Sequence, residues 1–522
     1  MKKNKFIKSI IMMLLLGGIF FTAKDSWEAT APVLSDYTAY PPFVVGSSNK
    51  ANVMILFSND HTNFYKGYND TVDIDGDGDV DSDDTTYNNL VDYYGYFDPD
   101  KCYNYTSSTF VPASTATTHL CSGNWSGNFL NWLSMSHADF VRKALTGGKR
   151  VMDSATSTTL IRANIYDSAH SWNKVYLGAN IASFTPFTYN ASGRTFRNSG
   201  TSLLTKVGND PAWTGTGATN TYTVEVQVCN NTVGLEDNCK TYQNVGVTTY
   251  KPAGLIVRYA DQIRFGLMTY SVDSYNDKGG ILRRNIGDVV NEINPNGTIN
   301  SGVADSIIRY INAFSPKGWD PVAEMYYEAI RYFKYLAPTT TYRCGGGGPT
   351  DDSFPMYCNQ SASRMWTDPI QSYCQKNYII IVNDEYPSRD HDDLPSSAFS
   401  TGVAPNDSGI NTYTWTDSVG TSEGINATSQ QIGNLTGAAS GACTPAEVIS
   451  SLANVTGICP SEPTAQGTFN IAGLAYYAHT QDLRTGNCGG AACTNNQTIK
   501  TYAIAFRASP GGYQIPGDMN GD

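Results

Sequence analysis

Asp73, Asp75 and Asp77, followed by Gly78, Val80 and Asp84, set out a regular series of carboxylates along DIDGDGDVDSDD. The first three side chains offer hard oxygen ligands, Gly78 allows a sharp turn, Asp79 contributes its carbonyl, Asp81 acts through water and Asp84 closes the shell. That is the chemistry of a calcium loop. Carboxylates packed this closely repel one another unless a cation sits between them; the plainer alternative is a solvated acidic run. A second set of polar residues is scattered along the chain. Ser58, Asp60 and Thr62 follow one apolar run, Asp320 follows the turn SPKG, and Asp384 follows another apolar run. His61 and His391 stand beside these groups, and Asp390, Asp392 and Asp393 around His391 either extend a metal site or solvate a loop. A hydrolase would need an activated nucleophile or a metal with an open position. Neither G-x-S-x-G nor H-E-x-x-H occurs, and the chain has only six histidines.

The scattered set becomes a site only if its flanking runs are neighbours. Asn52 to Phe57 (NVMILF) and Asn377 to Val382 (NYIIIV) are short and continuously apolar, as buried strands of a parallel sheet are. Ile263 to Tyr270 and Thr501 to Phe506 repeat the pattern. Between them, Ser126 to Leu145 has apolar residues at helical spacing and stops at Gly147 and Gly148, and further helices are expected over Val303 to Phe314, Val322 to Tyr335 and Ile471 to Leu483. Strands alternating with helices predict a doubly wound, mostly parallel α/β sheet, which binds ligands beyond the carboxyl ends of its strands. Ser58, Asp60, Thr62, Asp320 and Asp384 would then meet at one edge and could hold Mg2+ or Ca2+.

Lys2, Lys3, Lys5 and Lys8 ahead of the apolar run Ile10 to Phe21 predict a signal peptide over residues 1–29, and no later run is long enough to span a bilayer. Residues 30–510 are expected to form one α/β domain enlarged by β-hairpin and loop insertions. These are a calcium-loop insertion at 63–125, a β-rich insertion at 150–252, a cysteine-containing loop at 337–374 and a polar insertion at 385–468. Residues 511–522, ending in GDMNGD, look like the start of a truncated C-terminal domain. With a net charge of −12 and no basic run after the leader, the chain lacks the electrostatic footprint of a nucleic-acid binder. Eleven cysteines in an exported chain point to disulfides. The spacings suggest Cys102/Cys121, Cys229/Cys239, Cys443/Cys459 and Cys488/Cys493, leaving Cys344, Cys358 and Cys374 with one thiol over.

The edge set resembles the metal-ion-dependent adhesion site of von Willebrand A domains, with departures: Ser58 stands for the first Asp of D-x-S-x-S, Asp60 for the middle Ser, Asp320 for the usual Thr, and Glu385 follows Asp384 in place of Gly. Asp84 in the closing position of the acidic loop resembles dockerin-type loops, which implies a structural site. More specifically, SGNFLNWLSMSHADFVRKALTGGKR (Ser126–Arg150), AHSWNK (Ala169–Lys174), RFGLMTY (Arg264–Tyr270), GWDPVAEMYYEAIRYF (Gly318–Phe333), SYCQKNYIIIVNDEYPSRD (Ser372–Asp390) and AYYAHTQDLR (Ala475–Arg484) resemble, in order and spacing, PilY-type proteins of type IV pili. That resemblance implies a non-enzymatic, exported protein at the cell surface or pilus tip that supports pilus assembly and attachment, with minor pilins as partners. The rival expectations are a generic secreted matrix-binding A domain and an exported metal-dependent hydrolase.

Overall fold

The computed structural model describes residues 49–70, 85–165, 170–270, 279–314, 320–339, 366–384, 387–400, 409–430, 432, 447–459, 464–484, 487–488, 491–492 and 496–506. The chain is mixed α/β, with several sheets and few helices. At its centre lies a five-stranded sheet built from β1 (Ala51–Phe57), β2 (Ile263–Tyr270), β3 (Gly280–Gly287), β4 (Asn377–Asp384) and β5 (Ile499–Phe506), in the order β3-β2-β1-β4-β5. β2, β1, β4 and β5 run parallel to their neighbours, and only the edge strand β3 is antiparallel.

Alternation along β1 loads both faces of this sheet. Met54 and Leu56 join one apolar cluster, while Val53, Ile55 and Phe57 join another. The first face is covered by α5 (Val322–Phe333) and α7 (Asn470–Thr480), and the second by α2 (His137–Thr146), α3 (Leu255–Arg258) and α4 (Ile307–Ala313). The four sequence-predicted strands are all present, within two residues of their expected ends. β3 was not expected. Arg283 and Arg284 interrupt its apolar pattern, yet both are buried because Arg283 Nε donates to Thr269 Oγ1 (2.7 Å) and Arg284 Nη1 to the Phe265 carbonyl (2.5 Å).

The single helical pattern over Ser126–Leu145 is two helices, α1 (Gly127–Ser134) and α2, turned at Met135–Ser136. Ser136 is the reason. Its side chain and that of Asp139 form a capping box, which supplies two orphan N–H groups with acceptors and restarts the helix in a new direction. Gly147 closes α2 in the left-handed conformation (φ 91°), where a Cβ would meet the Pro252 carbonyl oxygen at 2.5 Å.

α1 belongs to a second core, shared with a six-stranded and a four-stranded sheet and rich in aromatic rings such as Phe129, Trp132, Tyr176 and Phe196. Its two buried asparagines hold the preceding loop. Asn128 Oδ1 accepts the Tyr93 N–H (2.8 Å), and Asn131 Nδ2 donates to the carbonyls of Tyr93 and Phe97 (2.7 and 2.9 Å). α2 spans both cores, with Ala138, Val141 and Leu145 in the sheet-face cluster and Phe140 against the aromatic one, and Arg142 anchors it to α4 by donating from Nε and Nη2 to the Ile311 and Phe314 carbonyls (3.1 and 2.6 Å).

Two expected disulfides, Cys102–Cys121 and Cys229–Cys239, are formed. Cys459 is also bridged, while the Cys488/Cys493 pairing, Cys344 and Cys358 lie outside the described side chains. No helix among the described residues is long and apolar enough to cross a membrane.

Candidate cation site at the sheet edge

The parallel strands end together, and the chain leaves β1 as Ser58-Asn59-Asp60-His61-Thr62. The Ser58 N–H donates to the Val382 carbonyl of β4 (2.8 Å), which fixes the loop against the end of the central strand. Ser58 Oγ donates to Asp320 Oδ1 (2.8 Å) and accepts the Asp60 N–H (3.2 Å). Asp320 in turn is held by Ser388, whose Oγ accepts the Asp320 N–H (3.1 Å). Asp60 Oδ1 accepts both the N–H and the hydroxyl of Thr62 (2.8 and 2.7 Å), turning the loop into the short 3-10 helix His61–Phe64.

Four of the five expected edge residues are therefore in one constellation: Ser58, Asp60, Thr62 and Asp320. Asp384 ends β4 two residues beyond Val382 and pairs in register with Phe506 of β5; its side chain is outside the described set. Ser58, Asp60 and Asp320 are all buried. Three side-chain oxygens of the loop, Asn59 Oδ1, Asp60 Oδ2 and Asn63 Oδ1, are buried without a hydrogen bond. Asp60 Oδ2 does lie 3.0 Å from His61 Nδ1, a close approach without hydrogen-bond alignment. Buried oxygens with unused lone pairs are costly, and a hard cation would satisfy them. The donor set fits Mg2+ or Ca2+.

One turn further along α5 is a second acidic group that sequence reasoning missed in part. Ligand oxygens of Glu324, Asp392 and Asp393 lie within 4.8 Å of one another. The aspartates were noted as part of the run around His391; Glu324 was not, because only the fold brings it across some seventy residues of chain. Glu324 Oε2 accepts the Gly279 N–H (2.7 Å) and Oε1 the Asp393 N–H (3.4 Å). Burial, then the charges of Asp393 and Asp392, push the Glu324 carboxyl well above the usual range. Burial likewise lifts Asp390 to about 7 despite its hydrogen bonds from Thr468. Cys229, Glu236 and Cys239 are also close together, but the two sulfurs are bonded to each other and Glu236 is paired with Lys101 (2.8 Å), so they form no metal centre. The acidic loop with Asp73, Asp75, Asp77, Asp79, Asp81 and Asp84 lies outside the described residues.

A family model described as "PilY1 homolog, small alpha/beta domain" matches residues 84–225, the stretch holding most of the aromatic core. A second, described as "PilY1 homolog, second domain", matches residues 265–320 and 316–478, which include β2 to β4 and α4 to α6 (Thr412–Ser422). Two curated relatives, both named "Type IV pilus biogenesis factor PilY1 homolog" and both from Xylella fastidiosa (strain Temecula1 / ATCC 700964), are 29% and 28% identical to the chain. The alignments cover 88% and 84% of this chain but 36% and 41% of those proteins, so the chain spans about two-fifths of their length. No solved structure matches.

Proposed function

Because the chain belongs to the PilY1 homolog family of type IV pilus biogenesis proteins, we propose that it works on the outside of the cell as a cation-dependent adhesin of the type IV pilus. The observation that carries this reading is the Ser58–Asp320 hydrogen bond, which joins the loop after β1 to the start of α5 around the buried Asp60 carboxylate. The strand order β3-β2-β1-β4-β5, with one antiparallel edge and helices on both faces, supports reading this sheet as von Willebrand A-like. In this reading Asp60, Asp320 and Asp384 hold Mg2+ or Ca2+ with Ser58 and Thr62, and the ion grips a carboxylate of the surface being bound. The pilus tip, reached through minor pilins, is the place of action, and the protein performs no catalysis. A generic matrix-binding A domain would account for the edge, but not for matches to both PilY1 domains.

The test is attachment. Cells carrying Asp60→Ala should make normal amounts of the protein yet attach at a level close to a deletion strain, and purified Asp60→Ala should bind Mg2+ more than about 10-fold more weakly, since even outer-shell losses reach that size. Full attachment by this variant would remove the edge from the adhesive role. We propose further that the acidic loop binds calcium structurally. Calcium at about 100 times its dissociation constant should add about 2.7 kcal/mol to the unfolding free energy, and Asp73→Ala with Asp77→Ala should erase that gain. Calorimetric scans with and without calcium decide it, and an unchanged gain in the double variant would reject the loop.

A further inference from the structure

A half-open cavity of about 190 Å3 lies beside the edge loop, between Tyr65–Asn69, the first residue of α2 and the segment His170–Trp172. It is joined to the edge through His61, whose ring packs against His170 and Tyr65 (5.0 and 5.7 Å between centroids) while its Nδ1 faces Asp60 Oδ2 at 3.0 Å. On the inner side, His137 stacks on Phe506 at the end of β5 (4.9 Å, 14° between planes). Burial lowers the His137 ring to about 4, so it is neutral at physiological pH.

Among the described residues the lining contains no aliphatic side chain. Tyr65, His137, His170 and Trp172 contribute four rings with polar edges, Tyr65 and His170 stacked on each other (5.7 Å, 28°), and the other described lining groups are the Asn69 amide, the Ser171 hydroxyl and the Lys66 ammonium. A pocket for an apolar peptide anchor would be walled by Leu, Ile, Val or Met as well as rings. This one matches a ligand that alternates C–H faces with hydroxyl groups, and the Lys66 ammonium on its wall meets an anionic substituent. Trp172 is set as a rigid wall. Arg162 lies over its ring (5.8 Å to the centroid), and the Arg162 guanidinium is itself fixed by the Gly200 carbonyl (2.5 Å). The Trp172 Nε1–H is buried with no acceptor among the described residues.

We propose that this pocket binds a carboxylate-bearing sugar unit of the uronic-acid type, with the rings stacking on the sugar faces, Asn69 and Ser171 meeting its hydroxyls, and Lys66 its carboxylate. The inference names the ligand class for the adhesive role and rests on that reading for its purpose. Binding in solution depends only on the pocket, so it persists when the edge cation is chelated.

The probes are D-galacturonate, D-galactose and N-acetylglutamate amide, titrated into the whole chain in chelator and followed by saturation-transfer NMR. Galacturonate should bind best. Lys66→Met should weaken it by about tenfold, the worth of one charge-assisted hydrogen bond, and leave galactose unchanged, while Lys66→Arg restores the preference. His170→Ala should weaken both sugars. The proposal is overturned if galacturonate shows no saturation transfer, if Lys66→Met binds it as the parent does, or if N-acetylglutamate amide competes better than the sugar, which would mark a peptide site. Loss of sugar binding with cation-dependent attachment intact sinks this inference alone; sugar binding intact with attachment unaffected by Asp60→Ala sinks the edge reading instead.

Discussion

Asp139→Ala should lower the stability of the chain by about 3–5 kcal/mol, the cost of removing one member of a buried charged network. Asp139 is wholly buried, and its carboxylate accepts the N–H and hydroxyl of Ser136 (3.0 and 2.7 Å) and the Ala163 N–H (2.7 Å). It also favours the charged form of Arg162, which is likewise wholly buried and whose guanidinium burial alone would pull toward neutrality. Alanine leaves two buried N–H groups without acceptors, loosens the start of α2 and weakens its tie to Ala163, which packs in the same sheet-face cluster as α2. Asp139→Asn keeps an acceptor and should cost about 1–3 kcal/mol. Urea unfolding followed by near-ultraviolet circular dichroism, which reports the packed rings, separates the two variants. A loss under about 1 kcal/mol for alanine would mean that the capping box does not secure the start of α2.

The same residues explain what could be read from the sequence. β1 and β4 were legible because strands buried on both faces are apolar at every position, and no helix of six residues competes with that pattern. Once these strands were adjacent, Ser58, Asp60, Thr62 and Asp320 had to share an edge. Cys102–Cys121 and Cys229–Cys239 were legible from proximity in the chain. The break between α1 and α2 was hidden because apolar spacing continues through it, while the Ser136–Asp139 cap is a polar signal only four residues long. α6 was missed inside a polar segment because its buried residues are Thr412, Thr416 and Gly420. Small residues at that spacing admit close helix packing: a Cβ on Gly473 of α7 would lie 2.4 Å from the Thr416 nitrogen. Glu324 was illegible as a site residue for a different reason. Nothing local distinguishes it from Glu328 one turn later on the same helix.

That pair makes the helix sensitive to pH. Glu328 is fully buried, and its carboxyl accepts the Thr339 N–H and hydroxyl (3.0 and 2.6 Å). Burial raises it from 4.5 to about 7, and Arg331, with Nε 3.7 Å away, offsets only part of that. In the unfolded chain the group loses its proton near pH 4.5; in the folded chain it keeps the proton until about 7. The folded state therefore holds the extra proton across this window, and stability falls as pH rises from about 4.5 to about 7 and is flat beyond. Glu328→Gln removes the titration and keeps the shape, at the cost of one poorer hydrogen bond. At pH 4 it should be about 1 kcal/mol less stable than the parent. At pH 8 it should be on the order of 2 kcal/mol more stable, the difference between relief of a buried charge and that bond. Unfolding measured at both pH values tests the sign as well as the size. A variant displaced by the same amount at both would show that Glu328 is already ionised in the folded chain, with Arg331 as its true partner.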